Sequence, residues 1–235
     1  MITIQAFSKN YGTVSAVKSL SCEIQKGRIT GILGANGAGK TTVLKAVCAL
    51  HYPTDGSIIV DDFSVSNNPL EVKRITGFVS ESAAFYPQFT VVEFLKFVRE
   101  FRDCTLQQMD NVIEQCSLGD VLHKKTGTLS KGFKQRLSFA QALMHNPSVL
   151  VLDEPASGLD PIQIQGMRHL LKSLENEKTI ILSTHLMQEV DSLCTDLLVL
   201  HKGSLVYSGR VDTVLSYTKT QTLDEAFLHL TKEAS

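Results

Sequence analysis

Apolar positions along this chain keep two rhythms that alternate from end to end. Short runs rich in Val, Ile and Leu recur at Arg28–Leu33, Val149–Leu152, Thr179–Leu182 and Leu197–Leu200. Apolar residues on both parities of such a run predict strands buried on both faces, as in a parallel sheet covered by helices. Thr41–Leu50, Pro161–Leu174 and Leu186–Cys194 carry the helical rhythm between them. The first helix is closed by His51-Tyr52-Pro53-Thr54-Asp55-Gly56, and Ser57–Val60 and Ile75–Val79 read as further strands. Residues 1–30 differ. There Ile2–Phe7 and Ser19–Gln25 are β-prone runs separated by turns at Tyr11-Gly12 and Lys26-Gly27, which predicts an antiparallel β-region.

From about Phe85 to His145 the pattern turns mostly helical. Thr90 with Glu93 three residues on is a capping box, in which each side chain satisfies a backbone N–H of the other. Phe94, Phe97, Val98 and Phe101 follow at i, i+3, i+4 and i+7, and that stripe is expected in the core. No internal repeat, low-complexity tract or linker interrupts the chain. The expectation is an α/β fold: one domain over 1–235, with a parallel sheet, an N-terminal antiparallel region and a helical subdomain inserted at about 85–145.

Composition narrows the function. The chain has 235 residues, 43% of them hydrophobic, enough for a sizeable core. A net charge of −1 gives no basic footprint for nucleic acid. No apolar run is long enough to span a bilayer, and Met1–Phe7 reads as an edge strand instead of a signal peptide. Cys22, Cys48, Cys104, Cys116 and Cys194 form no C-x-x-C pair, which suits small buried hydrophobes in a reducing cytosol.

Two stretches carry the chemistry. Gly34-Ala35-Asn36-Gly37-Ala38-Gly39-Lys40-Thr41-Thr42 fits the G-x-x-x-x-G-K-[ST] phosphate loop, set between a predicted strand and a helix. Backbone N–H groups of such a loop cradle phosphates, Lys40 adds a point charge, and the helix N-terminus favours the anion. Val149-Leu150-Val151-Leu152-Asp153-Glu154 is an apolar strand ending in two carboxylates, the groups that a phosphate-bound Mg²⁺ needs beside it. Together they indicate a nucleoside triphosphatase.

A third stretch gives the family. Leu129-Ser130-Lys131-Gly132-Phe133-Lys134-Gln135-Arg136 resembles the signature L-S-x-G-x-x-Q-R of the ABC ATPases. Ser157-Gly158-Leu159-Asp160 looks like that family's D-loop, and Ser183-Thr184-His185 like its switch histidine. Motif order and spacing match over essentially all of residues 4–205. The resemblance implies an ABC-type P-loop core binding ATP with Mg²⁺. It implies Lys40 on the β- and γ-phosphates, Thr41 and Asp153 holding Mg²⁺, and Glu154 polarising the attacking water. His185 would contact the γ-phosphate, and Tyr11 would stack on adenine. Ser130, Gly132 and Asp160 would serve ATP in a head-to-tail dimer, the signature of one subunit closing on the phosphate loop of another.

One position departs from the pattern. Gly77-Phe78-Val79-Ser80-Glu81 aligns with a segment where the family usually ends in Gln, a contact to Mg²⁺ and the attacking water. Glu81 keeps an oxygen for the metal and adds a negative charge beside the γ-phosphate. Behind it, Phe85-Tyr86-Pro87-Gln88-Phe89 lies where transporter members receive a short helix of an integral membrane permease. Leu129-Ser130-Lys131-Gly132 with Gln135-Arg136, and the ending Thr222–Thr231, resemble ATP-binding subunits of ABC-2-type exporters, although the ending would read alike as a surface amphipathic helix. The resemblance thus implies a peripheral subunit at the cytoplasmic face of a membrane, paired with a second ATP-binding subunit. A soluble ABC ATPase of a non-transport system, such as iron–sulfur cluster assembly, is the alternative.

Overall fold

A computed structural model of the chain describes residues 1–233 and contains two sheets. The smaller is antiparallel and ordered β2-β1-β4-β5, from β1 (Ile2–Tyr11), β2 (Val14–Ile24), β4 (Asp55–Val60) and β5 (Phe63–Ser64). In the larger, β3 (Ile29–Leu33), β6 (Thr76–Val79), β7 (Val149–Asp153), β8 (Thr179–Thr184) and β9 (Asp196–His201) run parallel. An antiparallel edge strand, β10 (Ser204–Arg210), completes the order β10-β9-β3-β8-β7-β6.

Helices cover both faces of this sheet, which is why its central strands are apolar throughout. Every residue of β3, β7 and β8 is buried. Alternate side chains enter different cores: Val149 and Val151 pack with α1 (Lys40–Val47) and the antiparallel sheet, while Leu150 and Leu152 pack toward the helical side. Each such side chain stabilises the fold by roughly 1.5–3 kcal/mol relative to exposure. The helical side is built from α5 (Lys131–Leu143), α6 (Pro161–Leu174) and α7 (Met187–Leu193).

The inserted helical segment contains α3 (Val91–Phe101) and α4 (Leu106–Gln115), then two short 3-10 turns and α5. Thr90 and Glu93 form the expected capping box, and Thr105 with Gln108 forms a second one. The expected stripe is corrected. Phe94 and Val98 are buried, but Phe97 is 44% and Phe101 78% exposed. The buried face of α3 is Val91, Phe94, Leu95 and Val98, the same spacing shifted back one turn. The sequence fits both registers, and packing against the rest of the lobe selects one.

Elements absent from the sequence reading are β5, β10, α2 (Pro69–Ile75) and α8 (Val211–Thr218). The ending forms α9 (Leu223–Glu233), and it is more than a surface helix, since Ala226 and Leu230 are buried in the helical-side core.

His145, just past α5, places Nε2 3.0 Å from the Thr76 carbonyl, while its buried Nδ1 has no partner. Burial, with the charges of Arg102 and Lys178 added, pushes its pKa down from 6.5 to about 4. The fold therefore favours neutral imidazole, and the unfolded chain takes up the proton first as pH falls. Stability from this group is lost from about pH 6.5 downward through about 4. Thermal melts across that window should show a smaller acid-side loss for His145→Gln than for wild type. Parallel curves for the two proteins would contradict the assignment.

Candidate functional site

The site lies at the C-terminal edge of the parallel strands, and strand register builds it. Leu33 on β3 is level with Thr184 on β8, and Ser183 is level with Asp153 on β7. The residues that leave these strands, Gly34, Glu154 and His185, consequently emerge side by side. Open α/β sheets bind ligands at this edge.

From β3 the chain enters the phosphate loop, and Gly39 turns it into α1. Gly39 has φ +103°, and a Cβ there would lie 2.7 Å from the Ala16 carbonyl oxygen, so only glycine fits. As N-cap of α1, Gly39 offers no side-chain hydrogen bond, which leaves the first N–H groups of the helix for an anion. Lys40 is only 6% exposed. Its ammonium donates to the Gly34 carbonyl at 2.7 Å and lies 3.1 Å from Glu154 Oε1, outside hydrogen-bond alignment.

Behind the loop, the carboxylate of Asp153 is buried. Its Oδ1 accepts from Thr41 Oγ1 at 3.0 Å and from Ser183 Oγ at 2.7 Å. Thr41 donates its proton inward, so its oxygen lone pairs remain available to a cation. Ser183 also accepts from the backbone N–H of Glu154 at 2.9 Å, tying the acidic pair together. Glu154 has φ +46°, a left-handed backbone uncommon outside glycine and often found at functional sites. Its Oε2 lies 2.8 Å from His185 Nδ1.

These groups open into a cleft of about 650 Å³. Residues 35–42 of the phosphate loop, Tyr11, Glu81, Glu154 and His185 line it, together with Ala16 and Ser157, whereas Gly34 and Asp153 do not. Tyr11 is 44% exposed, with its ring edge-on to His51 at 5.8 Å. Ser130, Gly132 and Asp160 do not line this cleft. Ser130 caps α5 by accepting from Phe133 N, and Asp160 caps α6 by accepting from Gln163 N. Gly132 instead borders a separate small cavity beside Gln163.

The donor set fits a nucleotide with Mg²⁺. Among the described residues, no cluster of three or more His, Cys, Asp or Glu side chains could hold a metal by itself. Mg²⁺ is commonly held by one or two protein oxygens together with substrate phosphates, and the hard oxygens of Thr41 and Asp153 meet that requirement.

Sequence reading missed Ser183 as a working residue, although it belongs to the quoted triplet Ser183-Thr184-His185. The usable signal was strand periodicity. Ser183 is on the same face as Ile181, packed toward α1, the face to which Asp153 also points.

Fold and cleft together define a nucleotide-binding ATPase. The ABC transporter family model matches residues 17–157, so the chain belongs to the ABC transporter family, as an ATP-binding subunit. It is 33% identical over 238 residues to the ABC transporter ATP-binding protein NatA of Bacillus subtilis, covering 97% of each chain. It is 35% identical to the bacitracin transport ATP-binding protein BcrA of Enterococcus faecalis, covering 88% of this chain and 68% of that one. A dimeric bacterial ABC transporter cassette superposes with a TM-score of 0.82 at 24% identity, covering 90% of this chain and 99% of that one.

Ser183→Ala deletes the one side chain that bridges Asp153 to the Glu154 backbone while leaving the phosphate loop untouched. ATP hydrolysis should fall roughly tenfold with nucleotide affinity nearly unchanged. Steady-state kinetics beside equilibrium nucleotide binding test this, and unaltered kcat would remove Ser183 from the site.

Proposed function

We propose that this chain hydrolyses ATP as half of a head-to-tail dimer and drives a separate membrane permease in the export direction. The observation that carries the dimer is the separation of its motifs: Ser130, Gly132 and Asp160 lie outside the cleft that Lys40, Glu154 and His185 share. A second copy would bring its own signature to that cleft. The dimeric cassette among the structural neighbours is consistent with this arrangement.

Within one site the residues divide the work. The loop N–H groups from Gly34 to Thr42 and the Lys40 ammonium bind phosphates, and Tyr11 offers its exposed ring to adenine. Bound Mg²⁺ would offset charge on the phosphates, held by Thr41 and Asp153, with Glu81 at the cleft wall as a further oxygen. Glu154 accepts a proton from the attacking water. His185, at 2.8 Å from Glu154, orients that carboxylate and lines the same cleft, where it would contact the γ-phosphate.

Partnership with a permease rests on family membership, and export on the resemblance of the ending to ABC-2-type subunits. No helix among the described residues is long and apolar enough to cross a membrane, which is consistent with a peripheral subunit on the cytoplasmic face. The aromatic surface offered to a permease differs from the sequence reading. Phe85 packs edge-on against Phe94 at 5.1 Å and joins the core margin. Tyr86, Phe97 and Phe101 remain exposed and touch in sequence, Tyr86 to Phe97 at 5.9 Å and Phe97 to Phe101 at 6.4 Å. An exposed aromatic ridge of this kind marks an interaction surface.

Glu154→Gln should bind ATP and accumulate as a dimer while losing roughly 10²-fold in hydrolysis, as for a missing general base. Light scattering with and without ATP reads the dimer; a monomer at saturating ATP, or wild-type turnover, would refute the scheme. Tyr86→Ser with Phe101→Ser should weaken co-purification with the co-expressed permease of a neighbouring gene. Basal ATPase activity should stay nearly unchanged, because neither ring lines the cleft. Full retention of the permease by the double variant would move the docking surface elsewhere.

A further inference from the structure

Glu189 is a buried carboxylic acid to which the scheme above gives no task. It sits on α7 and is 3% exposed. Its Oε2 accepts from Thr184 Oγ1 at 2.5 Å, and its Oε1 is buried without a hydrogen-bond partner. Burial, reinforced by the nearby charge of Glu154, holds this carboxyl above the ordinary carboxylate range. A methionine of similar reach would fill the same space without stranding a polar oxygen. A side chain that works against stability next to a reactive site calls for a functional account.

Strand geometry supplies one. Consecutive side chains of β8 point to opposite faces. Ser183 points toward α1 and holds Asp153, whereas Thr184 points to the helical side and is fully buried. There the Thr184 hydroxyl donates to Glu189 and accepts from Leu186 N at 3.0 Å. Glu189 N in turn donates to the Leu186 carbonyl at 3.1 Å. The backbone on both sides of His185 is thereby fixed from the helical face of the sheet, opposite the face on which Ser183 holds Asp153.

We infer that Glu189 is a positioning residue: through Thr184 it sets the backbone angle that brings His185 to Glu154. This rests on the catalytic reading of His185 given above. The carboxyl acts as a hydrogen-bond acceptor, so an amide oxygen serves in its place. A hydrocarbon does not.

The test compares the full-length proteins E189M, E189Q, T184V, H185A and the double variant E189M/H185A. E189M should melt at or above the wild-type temperature and bind nucleotide like wild type. Its kcat should nevertheless fall about tenfold or more with KM little changed, a split that loss of packing alone would not give. E189Q should recover most of that rate. T184V, which removes the donor from the other side, should reproduce the E189M defect and serves as well if E189M folds poorly. Adding E189M to H185A should cost little further rate, because both act through one imidazole. A defective H185A beside an unimpaired E189M, an E189Q as slow as E189M, or losses that multiply in the double variant would each overturn this proposal alone. Full activity in H185A would overturn the histidine's role and the proposal together.

Discussion

The register between β7, β8 and β3 is the constraint on which the site depends. Asp153 is level with Ser183, and Thr184 is level with Leu33. A slip of one residue would turn every side chain of a strand to the other face. The apolar alternation forbids it, because Val149, Val151 and Ile181 belong to one core and Leu150, Leu152, Ile180 and Leu182 to the other. Two dry faces therefore fix the position of groups that themselves bind no apolar surface. Packing energy far from the nucleotide cleft sets the distances of 2.7–3.0 Å within it.

Charge organises what register brings together. Lys40 and Glu154 are both largely buried and stand as an ion pair, and His185 closes on the second oxygen of the same carboxylate. Buried charges persist only where partners offset their lost hydration. Lys40 is also held by the Gly34 carbonyl, and the Glu154 carboxylate lies between Lys40 and His185 while its backbone N–H is held by the Ser183 hydroxyl. The cleft is thus preorganised by contacts made within one chain, while Ser130 and Gly132 of the signature motif do not line it.

Sequence reading reached the buried strands and the mostly helical run that contains α3, α4 and α5, because each leaves a local mark. Continuous apolar runs mark strands covered on both sides, and Gly-rich spacing before Lys40 marks an anion cradle. The helix Pro161–Leu174 was legible to the residue, since Asp160 caps it and Pro161 opens it. Other features are settled by tertiary contact and leave no local mark. The apolar positions of α3 fit two faces one turn apart, and only the neighbouring helices choose between them. Ser183 and Glu189 are ordinary polar residues in sequence. Their roles emerge from which face of β8 their partners occupy. Phe85 and Tyr86 are adjacent aromatic rings, yet one packs against the core and the other stays half exposed.

The left-handed backbone of Glu154 has a consequence for how this protein tolerates change. A non-glycine residue held at φ +46° carries strain on the order of 1–3 kcal/mol. Glycine at that position would relax the backbone but leave the buried Lys40 ammonium without its carboxylate partner. Selection for heat resistance alone therefore acts on residue 154 from two directions, backbone strain against the ion pair with Lys40. A thermostability scan at residue 154 weighs both terms at once, so its outcome reads the local backbone and the buried pair together.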